Sequence, residues 1–348
     1  MRRFAIACAA LVFALSAAAQ EKPFEEKIDV NVVLLDVIVT DARGNQILGL
    51  SKDDFIVKED GVTQPVDSVD YFTNRRLLDS REESAPFKVE RVRNERYFIF
   101  FFDKPNDAGV LFDELTVARE AVRNFIRNEM LEGDRVAIAG HDVRLKIYSD
   151  FTSDKKQLEK ALNDSARFGP GVDRPTSDDG ILQHVSRNEM IGRTGRVYEA
   201  LRVLADATKS IKARKNLVLF SPGILEESET VRNGVITNRS RFLDPMLEAF
   251  NGANLSVYAV QLQRDVDTTP VFHQRLEEMA SATGGQYFRF NTSFTQPLNR
   301  IENVNNGYYL LSYRTKHGRG ERGYQRVKVS VKNPEFKVVA RQGYQFGG

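Results

Sequence analysis

The sequence predicts an α/β protein: a doubly wound, mostly parallel sheet carrying a small accessory β module built from N- and C-terminal segments. Three observations carry this. Residues 97–102, YFIFFF, form an unbroken apolar run ending in Asp103, as in a strand buried on both faces of a helix-covered sheet. From there to about residue 305, strand-like and helix-like stretches alternate, the order that requires parallel strands joined by crossover helices. Both ends, residues 25–75 and 306–348, are instead rich in short β-patterned segments.

The chain has 348 residues, enough for one medium domain with a smaller companion. It opens with Arg2, Arg3, an apolar stretch over 4–15 and three alanines at 17–19. That is the layout of a secretory signal peptide, 1–19, with cleavage expected after Ala19. The stretch is too short for a membrane span, which needs roughly 20 apolar residues. Without the leader, 48 basic residues face 48 acidic ones, so no net field favours nucleic acid or an anionic membrane. Cys8, the only cysteine, lies in the leader. The remainder is expected to hold no disulfide and no thiolate metal site, although an exported chain meets an oxidising compartment.

In order, residues 28–40 are rich in β-branched side chains and end in the turn DARGN, 41–45. A short strand from 54 meets the hairpin signal Asp60-Gly61, and 65–72 reads as another strand. Residues 76–91 are densely charged, carry Pro86 and read as a linker between the N-terminal β module, 25–75, and an α/β domain, 92–305. Within that domain Leu115, Ala118, Val122, Phe125 and Ile126 make one helical stripe over 113–130. Strand 135–140 and a hairpin partner at 145–148 follow. Ser153 or Asp154 then caps a helix bearing Leu158, Ala161 and Leu162.

Residues 163–195 read as a long polar loop with helical signal at 181–190; connections of that length are usually functional or mobile. The next helix presents Val197, Ala200, Leu201, Leu204, Ala205, Thr208 and Ile211, and strand 216–220 runs into Ser221-Pro222-Gly223. A helix at 242–251 and a strand at 255–261 come next. Thr269-Pro270 opens a helix that Gly284-Gly285 closes. An edge strand at 286–290 and a helix marked by Leu298, Ile301 and Val304 complete the domain. Strands at 308–313, 325–331 and 336–341 form the C-terminal segment, 306–348, expected to pack on the N-terminal module.

If strands 97–102 and 216–220 share one parallel sheet, Asp103 and Ser221 leave it at a common edge, with Thr194 arriving ahead of the helix at 197. Ligands of open α/β sheets bind at that edge. On VVLLDVIVTDARGNQILGLSKDDFIVKEDG, RYFIFFFD, GDRVAIA, KNLVLFSPG, VYAV and LEEMASATGGQYF, the chain resembles von Willebrand factor type A domains. The likeness is closer to the VWFA-related proteins of the bacterial cell envelope, and it spans nearly everything after the leader. It implies a vWA/Rossmann-like sheet and a site where the family holds Mg²⁺ through Asp-x-Ser-x-Ser, a loop Thr and a later Asp. Here Asp103 fills the first position, Pro105 and Asp107 stand where the serines would be, Thr194 or a neighbour serves as the threonine, and Pro222 replaces the second Asp. Octahedral Mg²⁺ demands oxygen ligands, and proline has none in its side chain. The site is therefore expected to be degenerate and without a cofactor, leaving Asp103, Asp107 and Thr194 as residues that could hold Mg²⁺ weakly.

Ser221 at a strand end raises an envelope hydrolase as one alternative. Its setting, LFSPG, is no Gly-x-Ser-x-Gly elbow, and Pro222 removes a backbone N–H that an oxyanion hole would use. His141, His184, His273 and His317 form no His-x-x-x-His pair, and only His141 falls near the binding edge. The reading is a non-catalytic, exported protein, periplasmic or secreted, acting as a protein-binding or adhesion-type module. Its binding face comprises Asp103, Asp107, Thr194, Ser221 and His141 beneath the 163–195 loop, and its partner is another protein or envelope macromolecule. A metal-dependent (Mg/Mn) adhesion domain is the other alternative. Tyr287, Phe288, Phe290, Phe294, Tyr308 and Tyr309 make a further candidate surface, although strand alternation turns half of such residues inward.

Overall fold

A computed structural model describes residues 32–73, 89–90, 95–104, 112–175, 180–224, 231–232, 235–236, 240–262, 271–289, 293–318 and 320–347. The leader, Asp107, Phe290 and the linker at 76–91 apart from 89–90 lie outside these residues. The first strands are β1 (Val32–Thr40), β2 (Phe55–Glu59), β3 (Val62–Gln64), β4 (Val66–Thr73) and β5 (Val89–Glu90). Then come β6 (Tyr97–Asp103), α1 (Phe112–Asn124), β7 (Arg135–His141), β8 (Leu145–Thr152), α2 (Lys155–Ala166), α3 (Arg187–Arg193), α4 (Val197–Ala207) and β9 (Lys215–Ser221). A small hairpin, β10 (Val231–Arg232) and β11 (Val235–Ile236), precedes α5 (Leu243–Gly252), β12 (Leu255–Gln261), α6 (Val271–Thr283), β13 (Tyr287–Phe288) and α7 (Thr295–Val304). The chain finishes with β14 (Gly307–Arg314), β15 (Gly323–Val331), β16 (Lys337–Val339) and β17 (Gly343–Phe346).

All seven residues of β6 are buried. The strand pairs in parallel with β7 on one side and β9 on the other. Beyond β9 come β12 and β13, also parallel, whereas β8 runs antiparallel beside β7. Counted along the chain, the order β13-β12-β9-β6-β7-β8 is the doubly wound one, with its switch point between β6 and β9. β8 is reversed because a short turn can only return a strand antiparallel; a parallel neighbour needs a crossover of about a dozen residues.

Side chains alternate across a strand, so β6 feeds two cores. Phe98, Phe100 and Phe102 pack with α1, α2 and α7, while Ile99 and Phe101 pack with α4, α5 and α6. Burying each such side chain stabilises by about 1.5–3 kcal/mol, against at most about 1 kcal/mol for an exposed ion pair. The apolar run therefore decides which strand sits at the centre.

Strands from the two ends of the chain interleave to make the accessory module. One sheet has the order β16-β1-β14-β4-β5 and the other β17-β15-β2-β3. Val33, Leu35, Val37, Phe55, Val57, Tyr309, Leu311 and Tyr313 fill its core. Glu59 is buried among them and accepts hydrogen bonds from the hydroxyls of Tyr313 (2.8 Å) and Tyr344 (2.6 Å), the pairing a buried carboxylate requires.

The stretch 163–195 is not an open loop. α2 continues to Ala166, the Val172 N–H donates to the Ile147 carbonyl at 2.6 Å, and a short 3₁₀ turn (Ile181–Gln183) precedes α3. Ile181, Leu182, Val185 and Met190 are core residues. Asp150 of β8, fully buried, organises the segment by accepting from the backbone N–H groups of Ile181 (2.7 Å) and Leu182 (3.1 Å). Gly180 leaves room for this, since a Cβ there would strike the Asp150 carboxylate. The apolar residues are split between the 3₁₀ turn and α3, so the helical signal at 181–190 gives no sign that the segment packs into the core.

Smaller departures follow the same logic of tertiary packing. β8 runs on to Thr152, α4 stops at Ala207 before Ile211, and β17 had no signal of its own. Phe288, Phe294 and Tyr309 are buried while Tyr287 and Tyr308 are half-buried, so these five described aromatics build core and do not form an exposed surface.

Candidate functional site

Asp103 ends β6 and Ser221 ends β9, side by side at the switch point; His141 ends β7, in register with Asp103. The Ser221 hydroxyl donates to Asp103 Oδ2 at 2.7 Å and accepts from the Gly223 N–H at 3.2 Å. On the other side, His141 Nδ1 stands 3.8 Å from Asp103 Oδ1, beyond hydrogen-bond length. His141 Nε2 lies 3.0 Å from the Thr194 carbonyl oxygen. The Thr194 hydroxyl donates to the Met190 carbonyl and accepts from the Leu145 N–H at 2.9 Å. Of the sequence-predicted face, the fold thus brings Asp103, Ser221, His141 and Thr194 into one cluster; Asp107 lies outside the described residues.

The cluster is closed to water. Asp103 is 4 % exposed, His141 7 %, and Thr194 and Ser221 not at all. Burial pushes the Asp103 carboxyl up to about 7, with the Ser221 hydrogen bond acting against it. Burial likewise lowers His141, opposed by its contact with the Thr194 carbonyl and by Asp142. A neutral imidazole beside a carboxyl that resists ionisation is not an ion pair, despite their proximity.

Two chemistries can be tested on this geometry. A nucleophilic triad places histidine between serine and carboxylate; here the carboxyl lies between, and the Ser221 hydroxyl donates its hydrogen bond to Asp103. An Mg²⁺ site needs about six oxygens in octahedral array. Pro222 contributes none, and the Ser221 and Thr194 hydroxyls are each engaged as donor and as acceptor. Among the described residues no group of three or more His, Cys, Asp or Glu side chains could hold an ion. The described donor set does not fit that ion.

Part of the rim escaped the sequence reading. The Phe168 ring, at a residue with φ of 46°, is held between Lys104 Nζ (4.9 Å) and the Arg119 guanidinium (5.0 Å). Arg119 also covers Phe102 at 5.0 Å and donates to the Ser165 carbonyl at 3.0 Å. It is buried, and burial lowers it to about 10. The only sequence signal was an arginine placed directly after Ala118 inside the apolar stripe of α1. Three aliphatic side chains stay exposed on the segments that meet at the His141–Thr194 corner: Val143 (57 %), Ile191 (46 %) and Val172 (40 %).

Strand order, switch point and strand-end cluster define a doubly wound α/β domain of von Willebrand A-like fold with an accessory β module. No protein-family model and no curated protein matches the chain. Among solved structures, an aerotolerance-related membrane protein from Bacteroides fragilis is 14% identical, covering 60% of this chain and 98% of its own, with a TM-score of 0.37. A von Willebrand factor type A protein from Catenulispora acidiphila is 9% identical over 90% of this chain and 75% of its own, TM-score 0.42. The vWF domain of the pilus tip protein Mfa5 from Porphyromonas gingivalis is 12% identical over 62% of this chain and 94% of its own, TM-score 0.38. These likenesses are loose, and the fold assignment stands on the strand order itself.

Proposed function

We propose that the chain is an exported, non-catalytic binding module of adhesion type that engages another protein or envelope macromolecule at the strand-end rim, without a metal ion. The observation that carries this is the closed hydrogen-bond cluster. Ser221 donates to Asp103, both are out of water, and no histidine stands between them to serve as a base. Around that sealed floor the exposed groups include apolar ones, Val143, Val172 and Ile191, the side chains a protein partner would cover. Among the described residues no helix is long and apolar enough to cross a membrane.

The test is capture from envelope extract by the full chain and by Val143→Asp/Ile191→Asp, with and without EDTA. The reading expects a partner lost on the substitution and retained in EDTA. A partner retained by the doubly substituted chain sinks the assigned surface. Loss in EDTA, together with a melting temperature raised by Mg²⁺ or Mn²⁺, would instead support the metal-dependent version. The hydrolase alternative requires Ser221→Ala to abolish an ester or peptide cleavage, and the proposal expects no such activity to lose.

A further inference from the structure

We infer that a second site, at the far end of α6 from the rim, binds a small polyanion, a molecule carrying two or more clustered phosphate or carboxylate groups. A cavity of about 820 Å³ is lined by β2 and β15, by the chain from Val338 to Gln342, and by Gly284 and Gly285 at the end of α6. It opens where the neighbours of β15 diverge: β17 pairs with β15 only from Gly323 to Arg326, whereas β16 pairs with β1. Its size falls in the range of small-molecule pockets, roughly 300–1,000 Å³.

Four cations line this cavity, Lys58, Arg326, Lys328 and Arg341, against one carboxylate, Asp60. Register places Lys58 directly opposite Lys328, an arrangement in which like charges destabilise a sheet. Lysines often guard exposed sheet edges, and Lys328 lies beyond the end of the β17 pairing, but Lys58 is flanked on both sides by β15 and β3, so edge protection does not account for the facing pair. Lys58, Arg326 and Lys328 are exposed and make no ion pair among the described residues. Arg341 donates to the carbonyls of Asn251 (3.0 Å) and Leu34 (2.7 Å) and its Nε is out of water, so it adds positive charge to the wall and no open donor. Exposed cations without an ion-pair partner among the described residues, two of them held face to face by register, supply the point charges that clustered phosphate or carboxylate groups would neutralise.

Isothermal titration of the full chain tests this with sodium tripolyphosphate in one arm and citrate in the other, at low ionic strength, separating phosphate from carboxylate. The expected result is one saturable site for at least one anion, weakened by about tenfold or more in Lys58→Ala/Lys328→Ala and unchanged in Lys160→Ala, a distant exposed lysine. Both substituted lysines are exposed, and removing their mutual repulsion should leave the melting temperature equal or higher, so loss of binding is not loss of fold. Absence of saturable binding in both arms, or equal affinity in the double variant, overturns the inference.

Discussion

Replacing Asp103 by asparagine tests the electrostatics of the rim directly. In the folded protein the carboxyl is raised to about 7 by burial, from 3.8 in an unhindered chain. Between those values the native state keeps a proton that the unfolded chain has released, so unfolding free energy falls as pH rises, by about 1.4 kcal/mol per unit. Over about three units this accumulates to about 4 kcal/mol. The contribution is complete below pH 4 and gone above pH 7. The amide of the Asp103→Asn variant would be neutral throughout and would still accept the Ser221 hydrogen bond.

Urea denaturation of both proteins at pH 4.5 and pH 8 should show the variant gaining on the parent by several kcal/mol between the two conditions. His141 titrates the other way: its lowered value removes stability as pH falls. That term is common to both chains and cancels in the difference. A stability difference that stays constant from pH 4.5 to pH 8 would refute the buried, proton-holding carboxyl and with it the sealed rim.

Further outcomes follow from other contacts. Ser221→Ala removes the hydrogen bond that holds the Asp103 carboxyl down, so in a pH titration followed by NMR its midpoint should rise further; a fall would mean the hydroxyl is not the donor. Arg96→Ala strands Asp134, with which Arg96 shares a buried two-pronged pair at 2.7 Å for each bond. Chemical denaturation should show a loss of about 3–5 kcal/mol, and a loss under about 1 kcal/mol would mark the pair as dispensable. Gly285→Ala would put a Cβ on the Val257 carbonyl of β12, forcing backbone apart at a cost of about 3 kcal/mol. Gly133→Ala, with open space around it, is the matching control, and equal melting temperatures for the two would contradict the close approach.

What could be read before any coordinates was whatever local pattern encodes. The apolar run of β6 announced a central strand because burial on both faces leaves no polar alternation, and Gly284, at φ 70°, marked the end of α6 because only glycine takes that conformation freely. Strand direction then followed from alternation of strand and helix. Direction was enough to bring Asp103 and Ser221 to one rim, since parallel neighbours must end together. The sequence also brings Thr194 to that edge, although nothing local marks the Asp150 contacts that order the segment leading to it.

The remainder lay in contacts between residues that no short window contains. Asp150 orders a segment 31 positions away through backbone N–H groups, which leave no mark on composition. Glu59 is satisfied by tyrosines 254 and 285 positions distant, and the facing of Lys58 by Lys328 depends on sheet register. Shifting that register by one residue would exchange core for surface along the strand. Patterning along the chain therefore chose the elements and their polarity. Burial, register and the fate of each buried proton were chosen by folding, because desolvation acts on a side chain only once its distant neighbours have closed around it.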